Sequence, residues 1–150
     1  MHVLLIHQAF AGPNEPGGTR HWELATRALA KGHRFTVVAS DASYLTGRPA
    51  ESGEGEDPGL RVVRVRTLRT LHRSFAWRVA AFLGFMLSST CRAISVRKVD
   101  LVFGTSPPIF QAVSAWLAAA LKRVPFVLEI RDLWPEFAVG MGVLTNPVLV

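Results

Sequence analysis

Short apolar runs alternate along this chain with longer segments of helical periodicity. Residues 2–7 and 35–39 are continuous apolar or β-branched runs, typical of parallel strands that are covered on both faces. Between them, apolar residues recur at helical spacing in a segment that begins near Thr19, a candidate N-cap, and ends at Gly32. The pattern therefore predicts a strand, a helix and a second strand.

The second part of the chain repeats this alternation after a polar surface segment at 41–59. Apolar and Arg residues alternate over 60–65, which predicts a strand with one solvent-exposed face at the edge of a sheet. Further elements are predicted as a helix at 74–97, a strand at 100–104, a helix at 108–122, a strand at 125–130 and a short helical turn at 135–142.

Strands that alternate with helices indicate an α/β domain with a parallel sheet and helices on both faces. Right-handed crossovers leave few arrangements, and we expect a doubly wound, Rossmann-like sheet with strand order 3-2-1-4-5. The length of 150 residues suits one domain. Such a domain normally continues with another strand and helix, so we expect that the sequence, which stops at Val150, is truncated.

Charge and cysteine content narrow the classes of partner. Lys and Arg number 17 against 11 Asp and Glu, a net charge of +6, which favours phosphates, nucleic acid or an anionic membrane. No nucleic-acid motif accompanies the charge, so nucleic acid is disfavoured. Cys91 is the single cysteine, which excludes an intramolecular disulfide, and the five histidines lack metal-ligand spacing. We expect neither a metal nor a cofactor.

A glycine-rich loop after the first strand is a candidate phosphate site. Gly17 and Gly18 permit close approach of the backbone to a ligand, and the amides of Thr19 and Arg20 lie at a positive helix end. The loop is neither G-x-G-x-x-G nor a P-loop, and a simple tight turn is an equal alternative. Arg20 and His21 could reach a ligand from the first turn or be solvated.

Charged residues after the fifth strand form a second candidate site. Three carboxylates, Glu129, Asp132 and Glu136, cluster there with Arg131. One of these carboxylates could orient a ligand hydroxyl or accept its proton, and Arg131 could neutralise a phosphate. The alternative is an ion pair of Arg131 with Asp132 or Glu136 that pins a loop. After the fourth strand, Ser106 could contact the ligand or cap the next helix.

A basic segment precedes the most apolar helix. Arg66, Arg69 and Arg73 lead into this helix, which carries Trp77, as suits a helix that lies on anionic lipid. The alternative is a core helix after a charged edge strand. The longest apolar stretch, 79–91, is shorter than the roughly 20 residues that span a bilayer, so a spanning helix is not expected.

Four motifs together resemble one enzyme family. They are N-E-P-G-G-T-R-H-W-E-L-A, A-K-G-H, G-T-S-P-P and V-L-E-I-R-D-L-W-P-E. They resemble the glycosyltransferase family 4-like, retaining GT-B enzymes that build bacterial surface polysaccharides, including the colanic-acid and O-antigen group. The resemblance runs from His2 to about Pro147.

The resemblance implies the N-terminal, acceptor-side half of a two-domain enzyme whose donor-binding C-terminal half is absent from residues 1–150. It implies transfer of a sugar, of the hexosyltransferase type, from a nucleotide sugar to a lipid-linked or polysaccharide acceptor with retention. We expect Gly17, Gly18, Thr19 and Arg20 at the donor phosphates, His21, Ser106 and Glu136 at the acceptor, and Arg131 and Asp132 as catalytic residues near the reacting sugar. The family often has a His in that last region.

The resemblance further implies a polyprenyl-diphosphate-linked saccharide as acceptor and a cytoplasmic location, peripheral at the inner face of the cell membrane. We expect residues 1–150 alone to be inactive. Two alternatives remain: a membrane-docking or ligand-binding module without catalysis, and a dinucleotide-dependent oxidoreductase domain. For the latter, Asp41 could imitate a ribose-binding acid, but the missing G-x-G-x-x-G loop disfavours it.

Overall fold

The computed structural model describes residues 1–43, 45–50, 58–68 and 75–131. Its elements, in chain order, are β1 (His2–Ile6), α1 (Arg20–Ala30), β2 (Arg34–Ser40), β3 (Leu60–Val65), α2 (Phe75–Ser95), β4 (Leu101–Ser106), α3 (Ile109–Lys122) and β5 (Phe126–Ile130). The predicted order of these elements is confirmed, and the ends differ by no more than a few residues. The helical turn expected at 135–142 lies outside the described residues.

The five strands form one parallel sheet in the order β3-β2-β1-β4-β5, as predicted. Leu4 at the middle of β1 pairs with Thr36 of β2 on one side and with Val102 of β4 on the other. The central strand is buried at all five positions, and β3 lies at an edge. The α/β, Rossmann-like fold class is therefore confirmed.

Helices cover both faces of the sheet because successive strand residues point to opposite sides. Leu4 and Ile6 pack in one core cluster with Phe85 of α2 and Ala115 of α3. On the other face, Val3, Leu5 and Phe35 pack with Ala25, and Trp22, Ala28 and Leu29 of α1 close that cluster. The helical face predicted for α1 is thus confirmed.

The α3 helix lies unusually close to the sheet at one point. A Cβ atom on Gly104 of β4 would lie 2.7 Å from the Cβ of Ala115 and 3.2 Å from the ring of Phe126. This close approach places the middle of α3 directly against β4. In a parallel sheet, the carboxyl ends of all the strands meet at one edge, where the candidate site lies.

Candidate active site

A cleft of about 760 Å³ opens at the carboxyl edge of the sheet. The loop after β1 and the first turn of α1 form one wall, and the ends of β4 and β5 form another. Gly17, Gly18, Arg20, His21, Ser106 and Arg131 line it. The structure therefore brings together six of the residues that the sequence analysis selected, at the place where doubly wound sheets bind ligands. Asp132 and Glu136 lie outside the described residues.

A carboxylate at the end of β5 joins α1 to the sheet. Oε2 of Glu129 lies 2.7 Å from Nε2 of His21, and Oε1 lies 2.9 Å from a guanidinium nitrogen of Arg20. His21 is buried, with 3% of its surface exposed, so the expectation that it could be solvated is wrong. Arg20 is largely exposed at the rim and remains available to an anionic ligand.

Burial determines the charge of the two histidines in the cleft. The ring of His7, at the end of β1, lies 4.3 Å from that of His21. Burial, together with the electrostatic effects of the His21 ring and of the Arg131 guanidinium, lowers the pKa of His7 to about 3. Burial also lowers the pKa of His21, although Glu129 opposes this shift. Both rings are therefore neutral near neutral pH.

Glu129 remains ionised beside the neutral His21. Burial alone would raise the pKa of Glu129, but the hydrogen bond from His21, the electrostatic interaction with that ring, and the charges of Arg20 and Arg131 lower it. The neutral imidazole of His21 thus donates its Nε2 proton to a carboxylate. A ligand in the cleft meets neutral imidazoles at the floor and guanidinium groups at the rim.

The two glycines of the loop differ in what they require. Gly17 has a φ of +148°, and a Cβ there would lie 2.9 Å from the Cβ of Ala11, so this position excludes a side chain. A Cβ on Gly18 would meet nothing within 4 Å. The tight turn therefore explains why position 17 needs a glycine but does not explain the glycine at position 18. The missing side chain of Gly18 leaves open space at the wall of the cleft.

Thr19 occupies the N-cap position of α1, as predicted, but its hydroxyl does not cap the helix. The hydroxyl instead donates to Oε1 of Glu23 at 3.0 Å. Among the described residues, no side-chain cap therefore competes with a ligand for the first backbone amides of α1. These amides carry the positive end of the helix dipole.

Ser106 is buried in the cleft wall and does not cap α3, whose N-cap position is Pro108. The alternative of a helix cap for Ser106 is therefore wrong. Close by, the backbone amide of Gln8 donates to Oε1 of Gln111 at 2.7 Å, and Nε2 of Gln111 donates to the backbone carbonyl of Pro107 at 2.9 Å. These bonds fix the loop after β1 against the loop after β4.

Three polar residues that shape this site were not predicted from the sequence: His7, Gln8 and Arg64. The side-chain amide of Gln8 is buried and has no partner among the described residues. His7 stands at the carboxyl end of an otherwise apolar strand, and this local signal could have identified it. The expectation that β3 has a solvent-exposed Arg face is wrong for Arg64, whose side chain is 14% exposed.

The structure describes two of the four residues expected at a membrane, and both are exposed. Arg66 is exposed directly after β3, and Trp77 in the first turn of α2 is 47% exposed. Arg69 and Arg73 lie outside the described residues. None of the helices that the structure describes is long and apolar enough to cross a membrane.

An open parallel sheet with a ligand cleft at its carboxyl edge defines the class of Rossmann-like α/β binding domains. Within this class, a sequence model described as the glycosyl transferase 4-like domain matches residues 17–146. The chain therefore belongs to the glycosyl transferase 4-like domain family. The matched span includes Gly17 and Gly18 at the end of the glycine loop, and the strand that carries Glu129.

Among solved structures, the chain is similar to the C-terminal domain of a hydrogenase from Pyrococcus furiosus. The identity is 14%, the alignment covers 85% of this chain and 89% of that one, and the TM-score is 0.56. At this identity the similarity shows the fold alone. No curated protein matches the sequence.

Proposed function

We propose that this chain is the acceptor-side domain of a retaining glycosyltransferase that uses a nucleotide-sugar donor. Membership of the glycosyl transferase 4-like family supports a transferase of this kind. The observation that carries the proposal is the cleft at the carboxyl edge, where a buried neutral His21, paired with Glu129, adjoins the guanidinium of Arg20. Such a cleft can hold a neutral hydroxyl next to an anionic diphosphate.

In this proposal the donor diphosphate lies against the glycine loop. Gly17 and Gly18 let it approach the backbone, and the first amides of α1, from Thr19 onward, face it without a side-chain cap. Arg20 and Arg131 neutralise the charge that develops on the leaving diphosphate as the glycosidic bond breaks. No metal ion or cofactor takes part in this step.

The acceptor hydroxyl occupies the floor of the cleft in the same proposal. His21 orients the hydroxyl with Ser106, since both side chains are buried in the wall and neutral. Asp132 and Glu136 follow β5 along the chain and complete the acceptor side. The acceptor is a polyprenyl-diphosphate-linked saccharide, and a second, donor-binding domain closes the cleft, so that residues 1–150 alone bind ligands without turnover.

Binding of nucleoside diphosphates tests this proposal directly. We expect UDP, GDP, ADP or dTDP to shift the amide resonances of residues 17–21 in a ¹⁵N-labelled chain. The double variant Arg20→Gln/Arg131→Gln should weaken this binding by about 30-fold, because two charge-assisted hydrogen bonds are lost. Arg27→Gln, an exposed arginine farther along α1, is the matched control and should leave the affinity unchanged.

Two outcomes would refute the proposal. One is that none of these nucleotides perturbs residues 17–21 at millimolar concentration. The other is that NAD⁺ binds in their place, which would favour the dinucleotide-dependent oxidoreductase. The similarity to the hydrogenase domain does not favour that alternative, because it shows the fold alone.

An anionic membrane surface is the second partner that we propose, since the outer side of the α2–α3 layer is apolar and lacks acidic residues. On α2, Leu83, Leu87 and Ile94 are exposed at helical spacing, and on α3 the same holds for Ile109, Val113 and Trp116. Both helices bury their opposite sides in the same core cluster, so the two stripes lie on one outer face. No Asp or Glu occurs in either helix.

Vesicle flotation tests this membrane face. We expect Leu87→Ser/Trp116→Ser to reduce binding to mixed phosphatidylcholine–phosphatidylglycerol vesicles by at least about tenfold, because each exposed apolar side chain contributes roughly 1.5–3 kcal/mol on transfer into lipid. Leu24→Ser, an exposed apolar residue on α1, is the control. Equal binding to pure phosphatidylcholine, or no loss in the double variant, would contradict the proposal.

A further inference from the structure

A partly buried ion pair connects the wall of the cleft to β3 and takes no part in the proposed sugar transfer. Arg64 of β3 and Glu15 of the glycine loop are 49 positions apart, and their side chains are only 14% and 12% exposed. The two oxygens of Glu15 lie 2.9 Å and 2.8 Å from the same guanidinium nitrogen of Arg64. A pair so well shielded from solvent is held much more firmly than a surface ion pair.

The same guanidinium group binds a second point of this loop and the end of β2. Its second terminal nitrogen donates to the carbonyl of Phe10, at the start of the loop, at 3.0 Å, and to the carbonyl of Ser40, at the end of β2, at 3.3 Å. Arg64 therefore joins two points of the glycine loop to β2 and β3. Only a planar guanidinium can make these bonds together.

Glu15 transmits this anchoring to the loop that faces the ligand. Its Oε2 accepts a hydrogen bond from the amide of Gly12 at 2.7 Å, and its own amide donates to the Gly12 carbonyl at 3.1 Å. Glu15 and Phe10 both line the cleft, whereas Arg64 is not one of the described lining residues. A carboxylate in this wall would repel an anionic ligand if no cation neutralised it.

We propose that Arg64 is a positioning residue: from behind the wall it holds the loop 10–18 in place and neutralises Glu15, so that the cleft accepts an anionic ligand. The step from loop geometry to ligand rests on the proposed function. The anchoring itself rests only on the contacts of Arg64.

The test compares Arg64→Met with Arg61→Met, an exposed arginine on the same strand. We expect Arg64→Met to weaken the binding of inorganic pyrophosphate by at least about tenfold, because it removes the guanidinium group that pairs with the carboxylate of Glu15 in the wall. Arg64→Lys should give a smaller loss, since an ammonium group keeps the charge but cannot make the same set of bonds. Arg61→Met should bind like the wild type.

A second variant and a second measurement distinguish the effect of the charge of Arg64 from its effect on the position of the loop. Adding Glu15→Gln to Arg64→Met should restore part of the affinity, a recovery that a merely structural role would not produce. Hydrogen exchange of the Gly12 amide should accelerate in Arg64→Met, while the amide of Val37 in the core of β2 keeps its rate.

Two results would overturn the proposal: unchanged exchange at Gly12 in Arg64→Met, or a pyrophosphate affinity within about twofold of the wild type in a folded variant. If the wild-type chain itself binds no pyrophosphate, the proposed function fails. In that case the exchange of the Gly12 amide still decides whether Arg64 positions the loop.

Discussion

Acidification should destabilise this domain steeply, with His7 as the main cause. The pKa of His7 is about 3 in the folded chain against 6.5 for an ordinary histidine. Between these values the unfolded chain binds a proton that the folded chain does not, so stability is complete above about pH 6.5 and falls as the pH decreases. From pH 7 to pH 4 the expected loss is about 3 kcal/mol.

His21 and Glu129 act in the same direction. The lowered pKa of His21 adds to the loss below about pH 6.5, and the lowered pKa of Glu129 adds to it below its ordinary value of 4.5. Glu129 contributes less, because its shift reflects partners that remain partly exposed to solvent.

Urea unfolding of the wild type and of His7→Asn across this pH range measures the effect. The variant should show a much flatter pH dependence, whatever its stability at pH 7, because asparagine does not titrate. His33→Asn removes a histidine outside the cleft and should keep the slope of the wild type. An equally steep fall in His7→Asn would show that the buried imidazole is not the cause.

Gly104→Ala should destabilise the fold by about 2–3 kcal/mol, although it adds a single methyl group. The new Cβ would lie 2.7 Å from the Cβ of Ala115 and 3.2 Å from the ring of Phe126. The Cβ of Ala115 is fixed to its backbone and cannot rotate away, so α3 must move away from β4 to admit the methyl group. This movement would also displace the cleft wall around Ser106.

Thermal or urea unfolding checks this expectation, and two further variants make it specific. Ala115→Gly should recover part of the stability of Gly104→Ala, because it removes the atom that clashes. Gly84→Ala, on α2, meets nothing within 4 Å and should instead stabilise the fold by about 0.5–1 kcal/mol. If Gly104→Ala is as stable as the wild type, the close packing of α3 on β4 does not hold.

Most of the architecture could be predicted from local patterns. Apolar runs located the strands, helical spacing located the helices, and the right-handed crossover rule reduced the possible sheets to the order that the structure shows. The alternating Arg residues of β3 correctly placed this strand at an edge. The alternation wrongly predicted an exposed side chain for Arg64, because a sequence pattern cannot show that the carboxylate of Glu15 lies against it.

The candidate site was predicted in part. The glycine loop, His21, Ser106 and Arg131 were selected because parallel strands bring their carboxyl ends together at one edge. Glu129 belongs to the charged cluster that was predicted after β5, but its pairing with His21 was not predicted. His7 was missed, although it is a polar residue at the end of an apolar strand, because its burial and its contact with the ring of His21 depend on the fold.

The sequence by itself determined the alternation of strands and helices, the parallel sheet and its order, because these follow from short-range periodicity and general rules of chain connection. Only the tertiary structure decided that Glu129 meets His21, 108 positions away, and that Arg64 meets Glu15. Such pairs depend on strand register and on how closely helices pack on the sheet. The shifted pKa of His7 likewise arises from burial, which only the folded chain provides.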